Sequence, residues 1–258
     1  MHNTIVLTHG WTGSSVFAGL LRRAGAWLGD ETIVKPDYDT FENAGLVKLN
    51  NMLLERFAAG LNHEHQFDDA HVRLIAERAR DADLPELRSF LDQCDQHRPW
   101  LWKDPRLTWT IRVWADLLDV TNTRFVVLTR ETTQAWITAN LRRHIQSFAF
   151  TRAYNGGITD SNIRFLNERA IPYLALSFED LLLNPDKTLD RLNQHLSCHL
   201  TMTDLQSVCF VPLGRRNRGA RDFVKAAAIY VKNYGERDGR ARLRLSSGVT
   251  SGSFTAPQ

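Results

Sequence analysis

An apolar strand, a loop rich in glycine and hydroxyl groups, and an amphipathic helix open the chain, and this unit constrains the fold most. The strand is predicted at about 4–9 and the helix at about 14–28. In such a unit the loop amides point inward, and the positive end of the helix dipole lies behind them. Gly10 and Gly13 permit backbone angles that bulkier residues resist. We therefore expect a phosphate to bind at the amides of Gly10, Thr12, Gly13, Ser14 and Ser15, the alternative being an ordinary strand–turn–helix.

The same loop excludes an ATP- or GTP-binding loop of the form G-x-x-x-x-G-K-[ST], whose lysine reaches the β- and γ-phosphates. The segment from Gly10 to Ser15 contains no lysine. A phosphate bound here would be held by backbone amides and hydroxyls, with cations arriving from elsewhere in the chain.

Further short apolar strands are predicted at 100–103, 124–129 and 173–177, and helices separate them, one of which is predicted at 159–169. Strands that alternate with helices predict an α/β class: a P-loop-containing three-layer fold with a short central parallel sheet flanked by helices. Residues 30–43 are predicted to be a loop. Residues 1–234 are predicted to form a single domain, and residues 235–258 a mobile C-terminal tail, because the tail is rich in Gly, Ser, Thr and Arg without periodicity.

Composition narrows the class of ligand. The net charge of +3 over 258 residues fits a small anionic ligand and does not argue for nucleic acid, although the arginines of the tail leave that alternative open. Three widely spaced cysteines predict free thiols in a reducing compartment, without a metal cluster. We expect neither a membrane span nor a signal peptide, because no long apolar run and no charged leader occurs. The expected location is therefore cytoplasmic.

Each predicted strand is followed at its carboxyl end by residues that could bind a ligand, and this is where open α/β sheets bind ligands. The first strand is followed by the loop Gly10–Ser15, and the fourth ends at Ser177 before Glu179 and Asp180. Lys103 and Arg106 follow the second strand, and their charges would neutralise a phosphate or a transferring anion; the alternative is a surface ion pair with Asp104. Arg130 ends the third strand, and its guanidinium suits a phosphate, although it could instead cap a carbonyl. Thr138 lies eight residues later, where its hydroxyl would reach the same phosphate.

The order of these segments resembles the sulfotransferases that use 3′-phosphoadenosine 5′-phosphosulfate. The resemblance covers about residues 4–218 and is strongest to the bacterial and Golgi-type branches that act on carbohydrates or tyrosyl peptides. The segments that carry it are Trp11-Thr12-Gly13-Ser14-Ser15, Trp102-Lys103-Asp104-Pro105-Arg106-Leu107, Phe125-Val126-Val127-Leu128-Thr129-Arg130 with Thr138, Ser177-Phe178-Glu179-Asp180-Leu181, and the basic stretch at 210–218.

The resemblance implies roles for particular residues. The loop Gly10–Ser15, including Trp11, would hold the 5′-phosphosulfate, and Arg130 with Thr138 would hold the 3′-phosphate. Lys103 would act at the sulfonyl group with Arg106 beside it. The basic loop would close over the nucleotide through two arginines, Arg215 and Arg216. The product would be adenosine 3′,5′-bisphosphate, the acceptor a hydroxyl of a carbohydrate, lipid, peptide or other small molecule, and no metal is implied.

The chain departs from the family pattern at two positions. Relatives carry Arg or Lys in the loop where this chain has Trp11, so the backbone amides, Lys103 and Arg106 are the candidates to replace that cation. Relatives also carry a glutamate after an Asn-x-x-Gly segment as the acceptor's base, and the nearest counterpart here is the shortened Glu42-Asn43-Ala44-Gly45. Glu42 is therefore the first candidate for the base. The other candidates are Asp37, Asp39 and His9.

Two other functions remain open from the sequence. A small-molecule kinase would share the strand–loop–helix start, but this chain lacks the lysine that such a kinase carries in its loop. A protein that keeps the sulfotransferase fold, binds a ligand and has lost catalysis would explain Trp11. The oligomeric state and the identity of the acceptor are not readable from the sequence.

Overall fold

The structure is a computed structural model that describes residues 1–36 and 38–240. The chain forms two compact units. The first is Met1–Glu131 with Tyr154–Asn217, and the second is Thr132–Ala153 with the described residues 218–240.

The centre of the first unit is a parallel sheet with the strand order β4-β1-β5-β6. The strands are β1 (Asn3–Thr8), β4 (Leu101–Lys103), β5 (Thr123–Thr129) and β6 (Tyr173–Ser177). Val6 of β1 pairs with Lys103 of β4, and Thr8 of β1 pairs with Leu128 of β5. Because all four described strands run in parallel, their carboxyl ends meet at one edge of the sheet.

Side chains of the central strands alternate between two apolar clusters. Ile5 of β1 and Val127 of β5 belong to one cluster, whereas Val6 and Val126 belong to the other. Successive residues of a strand point to opposite faces of the sheet, so a strand that is buried on both faces has apolar residues on both. Helices cover both faces, so the predicted three-layer α/β fold with a short parallel sheet is confirmed.

Eleven α-helices occur in the described residues. Their bounds are α1 (Ser14–Arg23), α2 (Ala44–Phe57), α3 (Asp69–Arg80), α4 (Pro85–Asp95), α5 (Leu107–Ala115), α6 (Thr132–Leu141), α7 (Phe148–Glu168), α8 (Phe178–Leu183), α9 (Pro185–Leu196), α10 (Met202–Val208) and α11 (Ala220–Lys232). Within the described part of the chain, no helix has the length and apolar character that a membrane crossing requires.

The predicted loop at 30–43 is wrong, because a two-stranded antiparallel hairpin occupies most of it. Its strands are β2 (Thr32–Lys35) and β3 (Tyr38–Asn43). The hairpin is mostly polar, and the Thr40 hydroxyl donates to the Ile33 carbonyl to hold it. An apolar pattern could not reveal such strands. This error matters because β3 carries Glu42.

Three helices also differ from the sequence prediction. Helix α1 ends at Arg23 and not near 28, because Gly25 takes a left-handed φ of 94° and Trp27 pairs with Trp100 as an isolated bridge. Helix α7 begins at Phe148, ahead of the predicted 159. Helix α10 was not predicted; its start is fixed by a reciprocal capping box between Thr201 and Asp204.

The second unit has its own small core. Helices α6 and α11 pack through a cluster that includes Trp136, Ile137 and Ala226. A 3-10 helix at Tyr234–Gly239 follows, and Asp238 accepts hydrogen bonds from the backbone and hydroxyl of Ser147. The tail predicted from residue 235 thus begins with an ordered turn, while its residues 241–258 lie outside the described part. The division of the chain at residue 234 stays a prediction.

Candidate active site

The first turn of α1 and the loop before it lie at the carboxyl edge of the sheet. Gly13 is the residue before the helix, and no side chain caps the helix there. Ser14 and Ser15 are the first helical residues, so their N–H groups have no acceptor within the helix. The first turn also carries no acidic residue. These features favour an anion at this helix end.

Gly13 is required in this loop. Its φ is 82°, and a Cβ built there would lie 2.6 Å from the ring of Phe178. Gly10 is different, because a Cβ there would meet open space, and the second left-handed residue of the loop is Trp11, with a φ of 65°. Of the two glycines, Gly13 therefore uses the backbone freedom of glycine, whereas Gly10 does not have a left-handed φ.

Thr12 faces the interior of the loop. Its side chain is buried, and its Oγ1 lies 2.7 Å from Oγ1 of Thr8 at the end of β1. The Thr8 hydroxyl also donates to the Leu128 carbonyl of the neighbouring strand. The two threonines thus tie the loop to the sheet, and the amide of Thr12 is the part of this residue that a ligand would use.

Arg130 connects three segments that meet at this edge. Its Nη1 donates to the Trp11 carbonyl at 2.8 Å, and its Nε lies 3.4 Å from Oε1 of Glu179. Its guanidinium also lies 5.3 Å from the ring centroid of Phe178. Both Arg130 and Glu179 are almost fully buried. Arg130 therefore fixes the loop that would hold a phosphate, besides bringing positive charge to it.

The Ser-Phe-Glu-Asp-Leu segment that follows β6 has a structural role at nearly every position. Ser177 and Asp180 form a capping box at the start of α8. Phe178 packs against Gly13, and Glu179 Oε2 accepts from the Glu131 N–H at 2.9 Å. Burial raises the pKa of Glu179, and the Glu131 N–H and the charge of Arg130 oppose that effect. This segment therefore packs against the loop Gly10–Ser15 and supports its conformation.

Lys103 and Glu42 meet at the same edge. Lys103 ends β4 with its side chain 1% exposed, and its Nζ lies 3.0 Å from Oε1 of Glu42 on β3. Burial lowers the pKa of the Lys103 ammonium, while the Glu42 carboxylate offsets part of that effect. Arg106 Nη1 lies 4.0 Å from Oε2 of the same carboxylate. A buried ammonium beside a partly exposed carboxylate is suited to move a proton and to stabilise negative charge.

A buried polar network holds the segment that bears Lys103 and Arg106. Asp104 accepts from the Arg106 side chain and backbone N–H through Oδ1, and from Nδ2 of Asn50 through Oδ2. The side-chain oxygen Oδ1 of Asn50 in turn accepts from the Thr110 hydroxyl and from the Trp114 indole N–H. Sequence reasoning missed Asn50, because nothing in its own helix marks it as a partner of Asp104.

Of the four candidates for the base, Glu42 alone contacts Lys103 in the described residues. Asp39 accepts from Thr32 and from the Phe41 N–H, so it holds the hairpin. His9 is buried, and its Nδ1 lies 2.7 Å from the Gly10 carbonyl; burial lowers its pKa to about 4. Neutral His9 must donate to that carbonyl, so it supports the loop. Asp37 lies outside the described residues.

The other predicted ligand residues lie in three places. Thr138 is in α6 of the second unit, where its hydroxyl donates to the Gln134 carbonyl of the same helix. Arg216 forms two hydrogen bonds to the Glu131 carboxylate, at 2.7 and 2.8 Å. Arg215 is exposed. The Arg216 contact places the basic loop beside the end of β5.

His63 is a further residue that the sequence did not single out. Its pKa is lowered mainly by burial and next by the charge of Arg106, so it lies near the Lys103–Arg106 segment. Its ring makes an edge contact with Trp109, with centroids 5.8 Å apart. Among the described residues, no cluster of three or more His, Cys, Asp or Glu side chains is arranged to hold a metal ion.

Three solved structures are similar to this chain. The sulfotransferase domain from the curacin biosynthetic pathway superposes with a TM-score of 0.50 and 14% identity, over 86% of this chain and 82% of that domain. The sulfotransferase domain of the Synechococcus PCC 7002 olefin synthase gives 0.46 and 14%, over 89% and 94%. Sulfotransferase STF9 from Mycobacterium avium gives 0.45 and 14%, over 90% and 76%. No protein-family model and no curated protein sequence matches the chain.

The likeness to the curacin pathway domain concerns the fold. This chain therefore has the sulfotransferase fold, and the resemblance found in its motifs is confirmed at that level.

Proposed function

We propose that this chain is a sulfotransferase that moves a sulfonyl group from 3′-phosphoadenosine 5′-phosphosulfate to a hydroxyl acceptor. One observation carries the proposal: the Lys103–Glu42 pair lies at the same sheet edge as the uncapped start of α1. An anion-binding helix end beside a buried ammonium and a carboxylate matches the needs of transfer between a phosphate and a hydroxyl.

The residues fit the donor. When bound, the donor supplies a sulfonyl group on a phosphate oxygen that becomes a good leaving group. The amides of Gly10, Thr12, Gly13, Ser14 and Ser15 would hold its 5′ end, and Arg130 is proposed for its 3′-phosphate. The role of Thr138 at that phosphate stays a prediction from the sequence. The Lys103 ammonium would donate to the oxygen on which negative charge develops. Glu42 would accept the proton of the acceptor hydroxyl.

The acceptor is proposed to be a carbohydrate, a lipid, a peptide or another small molecule with a hydroxyl group. A cytoplasmic location is likewise a proposal, supported by three buried free thiols at Cys94, Cys198 and Cys209. A ligand-binding protein without catalysis is the second candidate function, since Trp11 occupies a loop position where relatives have a cation.

Calorimetry and a transfer assay separate these functions. The wild-type chain should bind adenosine 3′,5′-bisphosphate better than ATP with magnesium, and it should transfer labelled sulfonate to at least one of a panel of sugars, lipids and tyrosyl peptides. Lys103→Met should keep nucleotide binding and slow transfer by about a hundredfold, which is typical of losing one transition-state donor. Preferential binding of ATP would overturn the proposal, and bisphosphate binding without transfer would favour the second candidate.

A further inference from the structure

Three described cations lie near the proposed phosphosulfate site, and each of them contacts a carboxylate: Lys103, Arg106 and Arg130. No side chain from Gly10 to Ser15 is cationic. The Lys103 ammonium is buried against Glu42, and Arg106 Nη1 is 2.9 Å from Asp104. The anionic end of a sulfonate donor therefore needs a further cation at the mouth of the loop.

Lys35 lies where such a cation is needed. It ends β2, its side chain is exposed, and its Nζ is 5.9 Å from the ring centroid of Trp11 and 5.8 Å from that of Tyr38. Both distances lie within the range of a cation–π contact. The ammonium is also near enough to Lys103 for its charge to contribute to lowering the Lys103 pKa. Lys35 thus lies near both the loop and the Lys103–Glu42 pair.

The backbone fixes this arrangement from both sides. Lys35 pairs with Tyr38 across the turn of the hairpin, and the same hairpin carries Glu42. Trp11 takes a left-handed φ of 65°, and its carbonyl accepts from Arg130. The ring and the ammonium are therefore placed by two separate elements, β2 and the loop after β1.

We propose that Lys35 is a donor-binding residue that supplies the loop's missing positive charge, with the Trp11 ring as the platform that holds its ammonium in place. An ammonium that rests on an aromatic face keeps N–H donors for an anion. This inference rests on the proposed function, and it gives Trp11 a part in binding. It also makes the hairpin β2–β3 the source of both a donor-binding cation and the proposed base.

Titration of three variants with adenosine 3′,5′-bisphosphate tests the inference. Lys35→Met keeps the length of the side chain and removes the charge, Lys35→Arg keeps the charge, and Lys187→Ala removes an exposed lysine of α9 as the matched control. We expect Lys35→Met to weaken binding about tenfold, the scale of one charge-assisted hydrogen bond. The affinity of Lys35→Arg for the bisphosphate should stay near that of the wild type. The affinity of Lys187→Ala should equal that of the wild type.

Ionic strength adds a second readout that does not depend on folding. The difference in bisphosphate affinity between wild type and Lys35→Met should become smaller as the salt concentration rises, because salt screens the exposed charge of Lys35. Equal affinities of wild type and Lys35→Met at low salt would overturn the inference while leaving the proposed function standing. Failure of the wild-type chain to bind the bisphosphate at all would instead overturn the proposed function.

Discussion

The Nε atom of Arg130 lies 3.4 Å from Oε1 of Glu179, and both side chains are almost completely buried. The two residues follow neighbouring strands, β5 and β6, and together they hold the Trp11 carbonyl and the Glu131 N–H. The pair therefore shapes the loop at the proposed donor site, so changes at Arg130 affect folding as well as ligand binding.

The first prediction concerns this pair. Glu179→Leu should lower the free energy of unfolding by about 3–5 kcal/mol, because it leaves the Arg130 charge buried without its carboxylate. The double variant Arg130→Met/Glu179→Leu should recover part of that loss. Urea unfolding of the wild type, both single variants and the double variant gives the coupling energy. Strictly additive losses would show that the two side chains do not stabilise each other.

The second prediction compares two glycines of one loop. Gly13→Ala should destabilise the fold by at least about 1–2 kcal/mol, since alanine resists a left-handed φ and its methyl group would press on Phe178. Gly10→Ala should be near neutral, because its Cβ meets open space. Thermal unfolding of the two variants side by side measures the difference. Similar losses for both would contradict the described loop geometry.

The sequence predicted the residues at the sheet edge well, because the residues that indicate this edge are neighbours in the chain. An apolar run such as 124–129 indicates a buried strand, and the residue at its carboxyl end, here Arg130, is next to it in the chain. Since parallel strands share one carboxyl edge, the sequence alone assigns Lys103, Arg130 and the loop after β1 to one edge of the sheet.

The contacts within the site could not be predicted in the same way. Glu42 meets Lys103, a residue 61 positions later, and this contact depends on a polar hairpin that shows no apolar pattern. Lys35 belongs to the same hairpin and was missed for the same reason. Asn50 meets Asp104 across α2 and the end of β4. Such pairs follow from the packing of elements, which periodicity does not encode.

The third prediction concerns Asn50, which joins Asp104 to Thr110 and Trp114. Asn50→Leu should destabilise the protein by about 1–3 kcal/mol for each buried partner left unsatisfied. It should also slow transfer, because Asp104 would no longer hold the Lys103–Arg106 segment. Thr110→Val is the control, since it removes one donor to Asn50 and spares the contact with Asp104. Equal stability of the wild type and Asn50→Leu would contradict the network.

The fourth prediction concerns acid stability. The unfolded chain protonates His9 near its ordinary pKa of 6.5, whereas burial lowers the folded pKa to about 4. Between these values the unfolded state binds more protons, so the free energy of unfolding must fall as the pH falls. His9 should contribute up to about 3 kcal/mol of that fall. In His9→Asn, which keeps a donor for the Gly10 carbonyl, this component should vanish from unfolding curves measured between pH 7 and 4.

The last prediction tests Trp11 as a platform for Lys35. In a Lys35→Met background, Trp11→Arg should recover about tenfold in bisphosphate affinity, because a guanidinium in the loop replaces the lost ammonium as a charge-assisted donor. Trp11→Leu in the same background removes the ring without adding charge and should recover nothing. In the otherwise wild-type chain, Trp11→Leu should weaken bisphosphate binding, since the Lys35 ammonium loses its aromatic support.

Trp11→Arg alone should leave bisphosphate binding and transfer unchanged or raised. A large loss of bisphosphate binding in Trp11→Arg would show that this loop does not face the phosphate, because an added cation stabilises an anion wherever the two meet.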